Sequence, residues 1–187
     1  LGMFALEQAT TDLMEWERQT REIPVFVSVN LSSAQLLSSE LYTDVRAMLT
    51  KTQCDPHRIK LELTESVVME NPEQARLVLA KLKETGISLA LDDFGTGYSS
   101  LNYIHQLPID CIKIDKSFID GVPNNPKTQA VIKAVTTIAK SLDIWTVAEG
   151  VEEPVQAQWL KDYDCSCGQG YLFSRPATPD ELENLVM

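Results

Sequence analysis

The chain is poor in histidine, in cysteine pairs, in basic charge and in long apolar runs. Its 187 residues hold two histidines, His57 and His105, far apart in sequence. That makes a histidine-rich zinc or iron site hard to build. The four cysteines, Cys54, Cys111, Cys165 and Cys167, form no CxxC pair and no secreted-type framework. They are expected to be reduced, small and mostly buried, with Cys165 and Cys167 as alternating strand residues rather than a metal pair. Lys and Arg number 16 against 27 Asp and Glu, a net charge of −11. This argues against a general grip on nucleic-acid polymers, though bound cations can reverse the local sign for a small phosphorylated ligand. The apolar runs are too short to span a bilayer and no signal peptide is visible, so a cytoplasmic location without membrane contact from this segment is expected. Leu1 is not an initiator methionine. The chain is therefore read as a piece of a longer protein, with sensory, signalling or membrane segments upstream.

Composition is otherwise that of a globular domain, 44% apolar and 23% charged. The pattern alternates. Helices are expected over 2–20, 40–51, 71–86, 99–106, 127–142 and 154–162, with a last one after Pro179. Strands are expected at "VFVSVN" (25–30), "IKLELT" (59–64), "ISLALD" (87–92), "CIKID" (111–115), "IWTVAE" (144–149) and within 165–173. Asn71, Pro72 and Gly86 punctuate one helix. Two apolar stripes follow helical spacing: Ala75, Val78, Leu79 and Leu82, then Val131, Ala134, Val135, Ile138 and Leu142. Six strands separated by helices build a parallel sheet, either doubly wound or a barrel. Neither GxGxxG nor GxxxxGK[ST] is present, so the usual nucleotide loops of open sheets are missing.

Strand parity narrows the choice. Successive side chains point to opposite faces. Ile59, Leu61 and Leu63 oppose Lys60, Glu62 and Thr64. Val25, Val27 and Val29 oppose Phe26, Ser28 and Asn30. Ile87, Leu89 and Leu91 oppose Ser88, Ala90 and Asp92. Ile112 and Ile114 oppose Lys113 and Asp115. One such strand is as well explained by water on one side. Several in succession suit a barrel, with helices over the aliphatic face and polar groups gathered at the C-terminal rim. Glu149 ends a fifth strand and Gln169 lies in the sixth. Gly95, Gly97, Gly150, Gly168 and Gly170 fall near these ends, where loops turn tightly or approach a ligand.

The stretch "ALDDFGTGYSSL" places two carboxylates side by side. Strict alternation would send Asp92 and Asp93 to opposite faces, so the two can serve one site only if the backbone leaves strand geometry at Asp93. Taken singly, such a pair also suits a solvated turn, Lys113 a surface lysine, and Asn30 a helix cap. Trp16, Trp145 and Trp159 read as packing residues. Tyr171 and Phe173 suit either the core or a base pocket.

"VSVNLS", "LELTES", "DDFGTGYSSL", "IKIDKSFI", "AEGVE" and "GQGYLFSRP" occur in that order and together closely resemble the EAL-domain phosphodiesterases, which linearise cyclic di-GMP in bacteria. The resemblance covers nearly the whole chain, read as one domain over 1–187. It implies a TIM-like (β/α)8 barrel whose first two strands, and with them the Glu-Ala-Leu signature, are missing here. It implies a site for two metal ions, Mg²⁺ or Mn²⁺, held by Asn30, Glu62, Asp92, Asp93 and Glu149. Lys113, which contacts the attacking water, Glu149 and Glu65 match catalytic positions, and Glu65 also holds the loop Phe94–Ser100. Glu152 and Gln169 match residues that position substrate or water. Cyclic di-GMP is the expected partner and a homodimer the expected assembly. The alternative function is an impaired EAL-like receptor or regulatory module that binds cyclic di-GMP without cutting it.

Overall fold

A computed structural model describes residues 2–19, 26–95, 101–179 and 181–182. The elements run α1 (Gly2–Gln19), β1 (Val27–Asn30), α2 (Ser33–Leu36), α3 (Leu41–Thr52), β2 (Ile59–Thr64), α4 (Glu65–Glu70), α5 (Pro72–Lys83), β3 (Ser88–Phe94), α6 (Leu101–Ile104), β4 (Cys111–Ile114), α7 (Lys116–Ile119), α8 (Pro126–Ser141), β5 (Trp145–Ala148), α9 (Pro154–Asp162) and β6 (Cys167–Gly168). All six strands are parallel and lie in chain order, β1-β2-β3-β4-β5-β6. A doubly wound sheet reverses its strand order at a switch point. This one never reverses, which is how the wall of a (β/α) barrel is built. The described residues supply six strands of such a wall, and the fold is the TIM-like α/β architecture.

The faces follow the alternation. Ile59, Leu61, Leu63, Ile87, Leu89, Leu91, Ile112 and Ile114 are all buried in the layer between sheet and helices. Burying that many aliphatic side chains is the main force holding the helices on, about 1.5–3 kcal/mol for each fully buried side chain. The opposite face carries the polar residues, and its Ala90 is small and fully buried.

Caps set the path of the chain as it leaves the strands. Ser32 forms a capping box with Gln35 at the start of α2. Thr64 accepts from the Val67 amide at α4, and Asp115 from the Ser117 amide at α7. Each cap stands at or just beyond the end of a strand and starts a helix at once. The rim loops after β1, β2 and β4 are therefore short and fixed. Asn71 caps α5 with Pro72 in the first turn, as expected.

Some expectations are corrected. On α8 the buried stripe is Ile132, Val135, Thr136 and Ala139, not the expected set. Leu142 is exposed, and Thr136 enters the stripe because its hydroxyl donates to the Lys133 carbonyl inside the helix. Only Cys54 and Cys111 are buried; Cys165 is half-buried and precedes β6, and Cys167 is exposed on it. The residues 96–100, and most of the helix expected after Pro179, lie outside the described residues.

Candidate metal and catalytic centre

Lys113 of β4 is the centre of the site. Its side chain is 6% exposed, and its Nζ donates to Glu62 Oε2 at 2.6 Å, to Asp92 Oδ2 at 3.1 Å and to Glu149 Oε1 at 2.7 Å. Those carboxylates come from β2, β3 and the first position after β5. Parallel pairing brings them together: Asn30 stands beside Glu62, Thr64 beside Asp92, and Lys113 beside Val147. The Glu149 amide bonds to the Ile114 carbonyl at 3.0 Å, which holds Glu149 level with the end of β4.

The break expected in β3 is present. Asp93 has a φ of 55°, and the β3–β4 register shifts between Leu91 and Phe94. The Asp93 amide folds back onto Asp92 Oδ1 at 2.9 Å. Left-handed backbone is costly for most residues, but aspartate tolerates it through such local bonds. The turn puts both carboxylates on one side of the sheet. Oxygens of Asp92, Asp93 and Glu149 all lie within 4.8 Å of one another.

Charge in this cluster is unbalanced. Among the described residues, Glu62, Asp92, Asp93 and Glu149 face one ammonium. Burial pushes the Glu149 carboxyl up, against the bond from Lys113, and Asp92 and Glu62 add to the rise. The Asp93 carboxyl is also raised, by burial and then by Asp92 and Asp115. Burial alone would lower the Lys113 pKa. Its bonds to Glu149 and Glu62 and the charges of Glu62 and Asp92 outweigh that and hold it above the ordinary lysine value. Lys113 is therefore a fixed cation that does not release its proton near neutral pH. The all-oxygen donor set and the surplus negative charge fit hard divalent cations.

The remaining predicted residues lie around this cluster. Glu65, 2% exposed at the start of α4, accepts from the Gly95 amide at 3.0 Å through Oε2, while Oε1 has no partner among the described residues. Glu65 thus fixes the backbone at Gly95, just past the end of β3. Glu152 is drawn away from the cluster and pairs with Lys116 of α7. Asn30 and Gln169 are exposed at the ends of the flanking strands. The Gln169 amide bonds to Ala148 and its carbonyl accepts from Val151. Two residues escaped sequence reasoning, Lys116 and Gln156. Lys116 directly follows the "KID" motif, a signal that was available. Gln156 left none, because its role depends on where two loops meet.

The sequence model of the EAL domain matches residues 1–176. The chain belongs to the EAL domain family. A curated relative, the cyclic di-GMP phosphodiesterase NbdA of Pseudomonas aeruginosa, is 40% identical over 160 residues, 86% of this chain and 20% of that protein. The solved structure of the PaMucR phosphodiesterase in complex with c-di-GMP superimposes with a TM-score of 0.91 at 32% identity, covering 97% of this chain and 73% of that one. A manganese/cy-diGMP complex of Klebsiella pneumoniae BlrP1 matches with a TM-score of 0.85 at 27% identity, covering 95% and 45%. The EAL chain spans 20% to 30% of the length of the curated relatives it matches. Among its described residues no helix is long and apolar enough to cross a membrane.

Proposed function

We propose that the EAL chain is the catalytic part of a divalent-cation-dependent phosphodiesterase that opens cyclic di-GMP to linear pGpG. The observation that carries this reading is the convergence of Glu62, Asp92, Asp93 and Glu149 around Lys113 at the ends of adjacent parallel strands. Asn30, Glu62, Asp92, Asp93 and Glu149 would hold Mg²⁺ or Mn²⁺. Bound there, such cations would stabilise charge on the phosphate oxygens and lower the pKa of a water.

The chain's own residues do the rest. Lys113 remains charged and does not take the water's proton; its three N–H groups go to Glu62, Asp92 and Glu149, so it would donate to the water only once one of these carboxylates turns to a cation. Glu149, bonded to Lys113 and with an oxygen within 4.8 Å of those of Asp92 and Asp93, would hold that water in line. Water adds to phosphorus as it gives up one proton, the bond to one 3′ oxygen breaks, and that oxygen takes up one proton, so one water is consumed and a phosphate monoester and a 3′ hydroxyl result. Glu65 fixes Gly95, just past the end of β3. Glu152 and Gln169 line the approach and orient substrate or water. The length of the relatives supports further segments beside the chain in the intact protein, where sensory or signalling input would reside.

The test is to incubate the intact protein with cyclic di-GMP and Mg²⁺ or Mn²⁺, and again with EDTA, and to resolve the products by chromatography. Formation of pGpG that stops in EDTA is expected. Binding without cleavage would convert the reading to that of a receptor, and neither binding nor cleavage would end it.

A further inference from the structure

The loop that begins at Glu149 is tied on three sides. Val151 donates its amide to the Gln169 carbonyl at 3.0 Å and accepts from the Leu172 amide at 3.0 Å. Lys116 reaches Glu152 from α7. The third tie is Gln156, on the first turn of α9 and 6% exposed. Its Oε1 accepts from the amides of Glu152 at 2.9 Å and Glu153 at 3.0 Å, and its Nε2 donates to the Ile119 carbonyl at 3.2 Å.

A helix cap accounts for only part of this. The third residue of a helix bonds back to the cap residue's amide in an ordinary capping box. That explains the contact with Glu153. It does not explain the bond to Glu152, nor the reach to Ile119, 37 residues away in sequence. Ile119 ends α7, the helix that Lys116 begins. Gln156 therefore joins α7 to the loop at Ile119, while Lys116 and Glu152 join the same two elements at the other end of α7.

We propose that Gln156 is a positioning residue for the site. It locks α7 to the Glu149–Glu153 loop and so sets where Glu149 and Glu152 stand relative to Lys113. This rests on the phosphodiesterase reading above. It adds a residue that touches neither substrate nor the reacting atoms.

Two substitutions separate bracing from capping in the intact protein. Gln156→Glu keeps an acceptor for the Glu152 and Glu153 amides but has no donor for Ile119. Gln156→Met removes both. A bracing residue predicts that kcat for cyclic di-GMP falls about tenfold or more in either variant, with KM held within about twofold. A residue that only caps α9 predicts wild-type kcat in Gln156→Glu. Amide hydrogen exchange of the unsubstituted protein gives a second readout. The Glu152 amide is expected to exchange as slowly as the interior of α9. Wild-type kcat in both variants, or a Glu152 amide that exchanges like an exposed loop, overturns the proposal. If the unsubstituted protein shows no turnover while the Glu152 amide is protected, the brace stands and the phosphodiesterase reading fails.

Discussion

Lys113 and Glu62 lie 51 residues apart, with the whole of β3 between their strands, and their charged atoms meet at 2.6 Å. The same ammonium bonds Asp92 and Glu149. Removing one partner of a buried ion pair leaves uncompensated charge, which costs about 3–5 kcal/mol. Lys113→Met is therefore expected to lower the melting temperature sharply in EDTA and to abolish cleavage. Mn²⁺ should recover part of the lost melting temperature, because a dication can neutralise the carboxylates that the lysine no longer serves. Recovery should not extend to turnover. A variant that cleaves at the wild-type rate would remove Lys113 from the mechanism.

The pH dependence comes from Glu149 and Asp93. Both carboxyls are raised above their ordinary values of 4.5 and 3.8, so the folded chain without metal binds these protons more tightly than the unfolded chain. Their stabilising effect is complete below the ordinary values and is lost as pH rises through the raised ones. In EDTA the melting temperature should therefore fall as pH is taken upward from 4.5. Added Mn²⁺ should stabilise more as pH rises, because it needs the ionised carboxylates. Glu149→Gln should flatten both trends. Melting curves with EDTA and with Mn²⁺ across this range check the sign, and a Mn²⁺ effect that grew on acidification would contradict it.

Strand ends and faces were legible because they rest on alternation, a strong and local signal. The bounds of β2 and α9 emerge where the pattern placed them, at Ile59–Thr64 and Pro154–Asp162. The short helices α2, α4 and α7 did not. At four to six residues they are too short to show a helical period, and caps such as Ser32, Thr64 and Asp115 define them. The site divides in the same way. Glu62, Asp92 and Lys113 were readable from parity, and the turn at Asp93 only once the family resemblance put both adjacent carboxylates in one metal site. The pairing of Lys116 with Glu152 and the reach of Gln156 depend on the paths of separate loops, which no local pattern encodes. The face of α8 was misread because Thr136, a polar residue, hides its hydroxyl in its own helix.

Gly150 and Gly170 flank the Glu149 loop and should respond differently to alanine. A Cβ on Gly170 would lie 2.2 Å from the Val151 carbonyl oxygen and 2.3 Å from its nitrogen, both backbone atoms already bonded to Gln169 and Leu172. That backbone has little room to yield, so Gly170→Ala should cost about 1–3 kcal/mol or more from overpacking. On Gly150 the Cβ would meet Lys116 Cγ at 2.4 Å, which rotation can move, and Lys116 Cβ at 2.7 Å, which needs a small shift of α7, beside the strain of a φ of 67° at about 1–2 kcal/mol. Gly150→Ala should therefore be the milder of the two in denaturant unfolding, but it should displace Lys116 from Glu152 and lower kcat. Equal stability losses would show that the Gly170 contact relaxes freely.

The thiols offer a test of the fold that needs no substrate. Cys111 is buried on β4, and burial pushes its thiol up to about 11. Near pH 8 almost none of it is thiolate, and the thiolate is the form that attacks a disulfide reagent. Cys54 is buried as well. Cys165 is half-buried, with a thiol also raised by burial, whereas Cys167 is exposed on β6. Reaction with an aromatic disulfide reagent at pH 8 should modify Cys167 first, Cys165 more slowly, and Cys54 and Cys111 only on unfolding. Cys167→Ser should remove the fast phase and leave the slow ones in place. Fast labelling of Cys111 in the folded protein would mean that the face of β4 carrying Lys113 is open to solvent, and the buried ion cluster around Lys113 could not then exist as described.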